Sequence, residues 1–237
     1  MSWSLDLTRR RREPELMDDP GLAAGRHHAA LRGLERINRW SGSVRIVWSA
    51  IRGLPPPAAG GALRILDVAT GAGDVPIGLW RRAQRSNLRV QIEACDASPR
   101  AVEFAQQRAA RAGAEVRFFP LDVLRDELPD GYDAVVSSLF LHHLADEQAV
   151  MLLKKMAAAS RRLVVVNDLL RDRPGWLLAY LGSRILSTST VVHVDAVLSV
   201  RAAFAWHEIR AMAAKAGLHK VSLSHRFPRR FLLTHWR

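Results

Sequence analysis

The sequence has few of the features that mark secreted or membrane-spanning proteins. Its 237 residues include a single cysteine, Cys95. No internal disulfide can form, which fits a reducing compartment. No run of 18 or more apolar residues occurs, so we expect no membrane-spanning helix. The arginines near the N-terminus are not followed by the apolar core of a secretion signal, and we therefore expect a cytoplasmic protein.

Lysine is also scarce, although the chain is strongly basic. Only four of the 35 basic residues are lysine, and the formal net charge is +12. Such a charge indicates either a solvated basic surface or attraction to nucleic acid or to an anionic membrane surface. The sequence lacks the aromatic-interleaved basic motif of an RNA-binding module, so we expect no nucleic-acid partner. Peripheral contact with an anionic membrane stays open.

Composition divides the chain into four parts. Residues 1–20 are polar, contain two prolines and predict a flexible arm. Residues 21–54 carry apolar residues at helical spacing with a Ser-Gly-Ser break, which predicts a cap of two helices. Residues 55–62 are rich in proline and glycine and predict a linker. Residues 63–237 form the main domain.

Strand and helix signals alternate in the main domain. Strands are predicted at 63–68, 88–95, 115–119, 132–138, 162–166, 221–223 and 231–234. Helices are predicted at 76–85, 98–112, 147–160 and 206–217. This alternation predicts an α/β fold with a mostly parallel sheet and helices on both faces.

An apolar helical insert at about 174–198 interrupts this alternation. Its large apolar residues are Trp176, Leu177, Leu178, Tyr180, Leu181, Ile185 and Leu186. Most helices of this kind bury their apolar side in the core. Alternatively, the insert covers the site as a cap and lines a pocket for a lipophilic ligand.

Residues 64–74, RILDVATGAGD, predict a buried strand that runs into a turn of small residues and then into a helix. Ala69, Gly71 and Gly73 permit a tight turn and a close approach of a ligand to the backbone. Asp96 follows the second strand, where a carboxylate can accept hydrogen bonds from two ribose hydroxyls. Together these features predict a nucleotide site.

Two features of this turn argue against a bound pyrophosphate. Pro76 stands where a third glycine is expected, and Asp74 would place negative charge beside a phosphate. The acids at the ends of the first three strands favour a cationic cofactor without phosphate. S-adenosylmethionine has a sulfonium and an amino group, and it meets this description.

The motif series LDVATGAGD, CDASP, PLDVL and YDAVVSSLFLHHL resembles that of class I S-adenosylmethionine-dependent methyltransferases. The alanine in place of the first glycine resembles the ubiquinone/menaquinone-biosynthesis methyltransferase group. The resemblance covers residues 63–168. It implies a Rossmann-like fold with S-adenosylmethionine as cofactor.

The resemblance also implies a role for individual residues. The residues implied to hold the methionine part of the cofactor are Asp67, Ala69, Thr70, Gly71 and Gly73. Asp96 is implied to bind the ribose hydroxyls, and Ala97 to line the adenine. Asp122 is implied to face the adenine amino group, with Val123 beside it. Ser138 is implied to lie near the sulfonium and the acceptor.

Three histidines are candidates for a base that removes a proton from a phenolic acceptor. His142 and His143 follow the fourth strand, and His193 follows the apolar part of the insert. Each histidine could instead have only a structural role. His142 and His143 could pack or cap at a strand-to-helix junction, and His193 could lie in a solvated loop. We expect no metal site, because the histidines and the cysteine show no ligand spacing.

These observations predict methyl transfer from S-adenosylmethionine to a small lipophilic acceptor. The acceptor is expected to be phenolic, quinone-like or polyketide-derived, with O-methylation favoured over C-methylation. Two alternatives from other classes stay open. They are a nucleic-acid methyltransferase and a catalytically inert scaffold protein with the cofactor fold.

Overall fold

The computed structural model describes residues 6–18, 21–57 and 61–237. The remaining residues of the predicted arm and of the predicted linker lie outside these ranges. Within the described ranges, none of the helices has both the length and the apolarity that crossing a membrane requires.

Helices and strands alternate along the described chain. The helices are α1 (Ala24–Ser41), α2 (Ser43–Ile51), α3 (Asp74–Arg85), α4 (Pro99–Ala112), α5 (Asp146–Ala159), α6 (Arg173–Leu186), α7 (Thr190–Ala202) and α8 (Trp206–Lys215). The strands are β1 (Leu63–Val68), β2 (Val90–Asp96), β3 (Val116–Pro120), β4 (Tyr132–Ser138), β5 (Ser160–Leu169), β6 (Val221–Arg226) and β7 (Arg230–Trp236). Short 3-10 turns lie at Leu16–Asp18 and Leu141–His143.

The strands form one sheet in the order β3-β2-β1-β4-β5-β7-β6. Strands β1 to β5 run parallel, and β7 runs antiparallel to both β5 and β6. The prediction of a mostly parallel sheet is confirmed. The strand order reverses between β1 and β4, and ligands of such sheets bind in the crevice at that point.

Helices cover both faces of the sheet, as predicted. Helices α2 and α3 pack on one face with β1, β2, β4 and β5, and α5 and α8 pack on the other. On α2, Val47 and Ile51 are fully buried, so this helix contributes to the core of the sheet domain. Helix α1 instead contacts α6 and α7. The predicted division into a cap, a linker and a main domain stays a prediction.

The insert differs from the prediction in two ways. It consists of two helices, α6 and α7, where the sequence predicted a single helical insert at about 174–198. The expectation that the large apolar residues of α6 are buried in the core is wrong for Leu177, Leu181 and Ile185, which are exposed. The buried positions of α6 are Gly175 and Ser183.

Residues 6–18 of the N-terminal arm lie against α7. The backbone N–H of Leu16 and that of Met17 donate to the carboxylate of Asp195, at 2.7 and 3.0 Å. Arg201 on the same helix forms an ion pair with Glu13 at 3.1 Å. This part of the arm is therefore held next to the helices of the insert.

Candidate functional site

The turn after β1 adopts the left-handed backbone that its small residues permit. The φ angles of Ala69, Gly71 and Gly73 are 56°, 53° and 76°. A Cβ on Gly73 would lie 3.0 Å from the Cβ of Ala105, so packing against α4 requires glycine there. A Cβ on Gly71 would meet no atom within 4 Å. Gly73 thus permits close packing against α4, and Gly71 leaves room for a ligand.

Asp67, at the end of β1, is a buried acid with an incomplete set of partners. Its side chain is 2% exposed, and its Oδ1 atom makes no hydrogen bond with the described residues. Burial, opposed by Thr70 and aided by the charge on Asp96, raises the pKa of Asp67 to about 7. A cationic group with N–H donors would satisfy the free oxygen and favour the ionised form. S-adenosylmethionine, with its amino group, fits this position.

Asp96, at the end of β2, is held by two backbone N–H groups. Gly71 donates to Oδ2 at 2.8 Å and Ser98 donates to Oδ1 at 3.0 Å. Each carboxylate oxygen can accept a second hydrogen bond, so both stay able to bind ribose hydroxyls. The carboxylate therefore joins the turn after β1 to the start of α4. Ala97 lies exposed beside it.

The three remaining cofactor candidates lie at the ends of β3 and β4. Asp122 accepts a hydrogen bond from Leu124 N–H at 2.9 Å. Val123 is 3% exposed and packs in the core, so little of its surface is open to a ligand. The hydroxyl of Ser138 accepts a hydrogen bond from the Asn167 amide at 2.8 Å. The sheet places all three at the same edge as Asp67 and the turn.

Asp74 does not play the part that the sequence argument gave it. Arg108 on α4 forms an ion pair with its carboxylate and also donates to the carbonyl of Ala72 at 3.1 Å. The amide of Asn38 lies 3.4 Å from the same carboxylate. Because Arg108 neutralises this charge, Pro76 and the acids at the strand ends are the features that disfavour a bound pyrophosphate.

His142 forms a buried pair with Asp168 from the end of β5. Its Nδ1 atom lies 2.7 Å from Oδ1 of Asp168. Burial alone would lower the pKa of His142, but the charge and the hydrogen bond of Asp168 outweigh it, and the pKa is raised. Burial likewise opposes ionisation of Asp168, yet His142 holds the pKa of that carboxyl below its ordinary value. The pair leaves Nε2 as the free ring nitrogen of His142.

His143 lies next to this pair without sharing its hydrogen bond. Its ring centroid is 4.1 Å from that of His142. Loss of water around the ring and the charge on His142 lower the pKa of His143 to about 4. The ring is therefore neutral near pH 7, where a low pKa makes it a weak base.

His193 lies on α7. It does not line the apolar cavity that His142 borders. Its Nε2 atom lies 2.7 Å from the carbonyl oxygen of Ser187, in the connection between α6 and α7. This contact stabilises the connection between the helices of the insert. The geometry favours a structural role for His193 over the predicted catalytic one.

A cavity of about 260 Å³ lies between α1, α6, α7 and the turn after β4. It is mainly apolar, and its lining includes Trp40, Leu139, His142, Leu178, Leu186 and Arg230. Asn38 also lines the cavity and lies near Asp74 at the start of α3. Asn38 therefore links the cavity wall to the residue that directly follows the turn after β1. Part of the insert lines it, as the second of the two interpretations predicted.

Glu15, which the N-terminal arm brings to the cavity, was not among the residues predicted from the sequence. The hydroxyl of Ser199 donates to its carboxylate. One ligand atom each from Glu15, His142 and His143 lies within 4.8 Å of the others, an arrangement that could hold a metal ion. The expected absence of a metal site therefore stays a prediction. No sequence signal marked Glu15, because only the docking of the arm places it there.

Arg230, a buried arginine of the cavity wall, was also not predicted from the sequence. It is 2% exposed, and its guanidinium donates to the hydroxyls of Ser41 and Ser43 from the helices α1 and α2. Burial lowers the pKa of Arg230 to about 10, which still leaves it charged at neutral pH. Arg230 thus connects β7 to the N-terminal helices at the cavity.

Comparison with known families identifies a similar domain in this chain. Residues 65–162 match the family described as "Methyltransferase domain". The resemblance to class I S-adenosylmethionine-dependent methyltransferases is thereby confirmed at the level of this domain, and with it the cofactor expected for the domain.

Two curated relatives are similar over part of the chain, and both are named demethylmenaquinone methyltransferase. The protein from Thermus thermophilus is 37% identical over 106 residues, which are 44% of this chain and 46% of the relative. The protein from Deinococcus radiodurans is 38% identical over 84 residues, 35% of this chain and 33% of the relative. The matched region thus spans less than half of either relative. The predicted resemblance to the menaquinone group is confirmed.

Solved structures show the same fold over nearly the whole chain. The S-adenosylmethionine-dependent methyltransferase SibL matches with a TM-score of 0.70 at 22% identity, over 98% of this chain and 64% of that one. Magnesium protoporphyrin IX methyltransferase from Synechocystis PCC 6803, solved with bound SAH, matches with a TM-score of 0.57 at 19% identity. That match covers 93% of this chain and 91% of the other. The insert and the N-terminal helices thus lie within a shared architecture.

Proposed function

We propose that the protein transfers a methyl group from S-adenosylmethionine to an oxygen atom of a small lipophilic phenolic or quinone-like acceptor. The observation that carries this proposal is the His142–Asp168 pair, which borders an apolar cavity. Asn38 in the wall of this cavity contacts Asp74, directly after the turn that follows β1. The cavity suits an apolar ring, and the pair supplies a base. The names of the two curated relatives support a quinone-like acceptor.

The pair acts on the proton of the acceptor. S-adenosylmethionine supplies an electrophilic methyl group on its sulfonium. Asp67, the turn after β1 and Asp96 would hold the cofactor, and Nε2 of His142 takes the proton from the phenolic oxygen that accepts the methyl group. Asp168 stabilises the resulting imidazolium and keeps Nδ1 protonated, so that Nε2 is the nitrogen that accepts. The cavity wall holds the acceptor in line with the methyl group, and this alignment lowers the barrier further.

The test uses S-adenosylmethionine with a deuterated methyl group and a panel of phenols and hydroquinones. We expect mass spectrometry to detect a labelled product, and NMR of that product to place the methyl group on oxygen. Because general-base catalysis contributes about 10²–10⁴-fold, His142→Gln should lower kcat by about 100-fold or more. Cofactor affinity, measured by calorimetry, should stay unchanged.

His207 is exposed on α8 and provides the matched control, so His207→Gln should keep full activity. Equal loss of activity in the two variants would contradict a role for His142 as a base. Cofactor binding without methylation of any acceptor would favour the alternative of an inert scaffold. A methyl group found on carbon would contradict O-methylation, but it would be compatible with His142 as the base.

A further inference from the structure

Helix α6 packs its small residues against the protein and presents its large apolar residues to solvent. Gly175 and Ser183 are buried. Leu177, Leu181 and Ile185, spaced four residues apart on one side of the helix, are 51%, 47% and 81% exposed. A surface helix of a globular protein normally shows the opposite arrangement. A contiguous exposed apolar stripe of this kind marks an interaction surface.

A second stripe of α6 joins aromatic rings to an arginine. Trp176 stacks on Tyr180 with ring centroids 5.4 Å apart. The guanidinium carbon of Arg184 lies 3.6 Å from the centre of the Tyr180 ring. Aromatic and arginine side chains beside an aliphatic stripe are typical of helices that lie in the interface of a bilayer, where rings sit at the headgroups.

The exposed apolar surface continues into the cavity. Leu178 on α6 is 39% exposed and also lines the cavity. Trp40 on α1 is 46% exposed, lines the cavity from the other side and contacts Phe227 with ring centroids 5.0 Å apart. The same cavity therefore has exposed apolar residues and His142 in its lining.

We propose that α6 docks this protein on an anionic lipid bilayer, with Leu177, Leu181 and Ile185 inserted among the acyl chains near the headgroups. The 14 residues of α6 make a helix about 21 Å long, which suits a position parallel to the membrane plane. Docking places the cavity mouth at the bilayer. The acceptor is then an amphiphile dissolved in the membrane. This identification of the acceptor, unlike the docking itself, rests on the proposed methylation.

Charge favours a membrane over a second copy of the chain as the partner of α6. Arg173 and Arg184 are exposed on the helix. Arg36 lies at its end, where its Nε donates to the carbonyl of Leu186 at 2.6 Å. In a two-fold dimer the same patch faces itself and brings these arginines together. An anionic bilayer is complementary to them, and the net charge of +12 adds to the attraction.

The experiment measures co-sedimentation of the full chain with vesicles of phosphatidylcholine, with and without phosphatidylglycerol. We expect binding that needs the anionic lipid and that persists in part at high salt, because apolar insertion is not screened. Leu181→Asp and Ile185→Asp should each weaken the salt-resistant binding by about tenfold or more, since each replaces an inserted apolar side chain by a charge.

Phe104 on α4 is 42% exposed and lies on another helix, so Phe104→Asp is the matched control and should bind as the wild type does. All variants should methylate a short-chain, water-soluble phenol at the wild-type rate. If the wild type and the variants all fail to methylate this phenol, the result counts against the proposed function and not against docking. Equal vesicle binding by wild type and Ile185→Asp would overturn docking through α6. So would a wild-type dimer that Ile185→Asp dissociates.

Discussion

Nδ1 of His142 lies 2.7 Å from Oδ1 of Asp168, and both side chains are buried. The backbone N–H of His142 donates to the other oxygen of the same carboxylate at 3.2 Å. His142 belongs to the turn after β4, and Asp168 lies near the end of β5. Since β4 and β5 are parallel neighbours, the sheet itself sets the geometry of the pair.

Asp168→Asn should change the pH dependence of methylation. Only the neutral imidazole of His142 accepts a proton, so wild-type kcat/KM should rise with pH through the raised pKa of His142. Removal of the carboxylate leaves burial to lower that pKa, and the rise should move to lower pH. The wrong tautomer should also reduce kcat by about 10²-fold or more. A pH–rate profile with an acceptor that ionises far above this range measures both effects, and an unchanged profile would rule out the pair.

The same substitution should reveal the contribution of the pair to stability. His142 has a raised pKa, so its stabilising effect is lost as pH rises through that pKa. Asp168 has a lowered pKa, so its effect is lost as pH falls through that lowered value. Between these limits, Asp168→Asn should lower the free energy of unfolding by about 3–5 kcal/mol. Urea unfolding over a pH series should show that the difference in free energy of unfolding between wild type and Asp168→Asn becomes smaller at low and at high pH. A difference that does not depend on pH would be inconsistent with linked titration of the pair.

Asp96→Asn should weaken the binding of S-adenosylmethionine. Asparagine keeps an oxygen for the N–H of Gly71 but loses the charge that strengthens hydrogen bonds to ribose hydroxyls. A loss of about 1.5–3 kcal/mol corresponds to about 10–100-fold in Kd. Calorimetry measures this. Glu103→Gln, at an exposed acid on α4, is the control, and matching affinities in the two variants would remove Asp96 from the cofactor site.

Arg10→Met should loosen the N-terminal arm and disturb the site. The Arg10 guanidinium donates to the carbonyls of Ala202 and His142, at 2.6 and 2.7 Å, and pairs with Asp146 at 2.9 Å. We expect a loss of about 2–4 kcal/mol in the free energy of unfolding, because buried carbonyls lose a charged donor. Methylation should fall while cofactor affinity stays constant.

The exposed Arg12 donates to the carbonyl of His143 at 3.1 Å and is the control for Arg10. Arg12→Met should change stability by no more than about 0.5 kcal/mol. Urea unfolding and limited proteolysis of the arm compare the two variants. Equal resistance of the arm to protease in wild type and Arg10→Met would show that Arg10 does not hold it.

Ile51→Ala tests whether α2 belongs to the core of the sheet domain. Ile51 is fully buried, and truncation of such a side chain costs about 2–5 kcal/mol. Arg45→Ala, at an exposed position of the same helix, should cost about 0.5 kcal/mol or less. Thermal and urea unfolding should stay a single transition. A separate early transition for Ile51→Ala would instead support the predicted independent cap.

Much of the fold could be predicted because its signals are local. The predicted bounds of β1 and β4 agree with the structure, since short apolar runs between polar turn residues identify buried strands. The start of α4 was also predicted. Ser98 accepts a hydrogen bond from Ala101 N–H at 3.3 Å, and Pro99 occupies the first turn.

Features that depend on distant contacts could not be predicted. The apolar sequence of α6 is compatible with the protein core and with an interaction surface. Ile185 is exposed because α6 packs Gly175 and Ser183 against the protein. Glu15 reaches the cavity because Asp195, 180 positions further along the chain, anchors the arm beside it. Hydrophobic periodicity reports how apolar a face is, and it does not report what covers that face.

The sequence by itself determined the strand-and-turn order, the glycines after β1 and the acids that follow β1, β2 and β3, because these depend on neighbours within a few residues. The tertiary structure alone decided which histidine has a carboxylate partner. It also decided which side of α6 faces solvent and which residues of the arm line the cavity. Each of these requires chain segments that are far apart in sequence to meet, and the strand order and the packing of helices on the sheet bring them together.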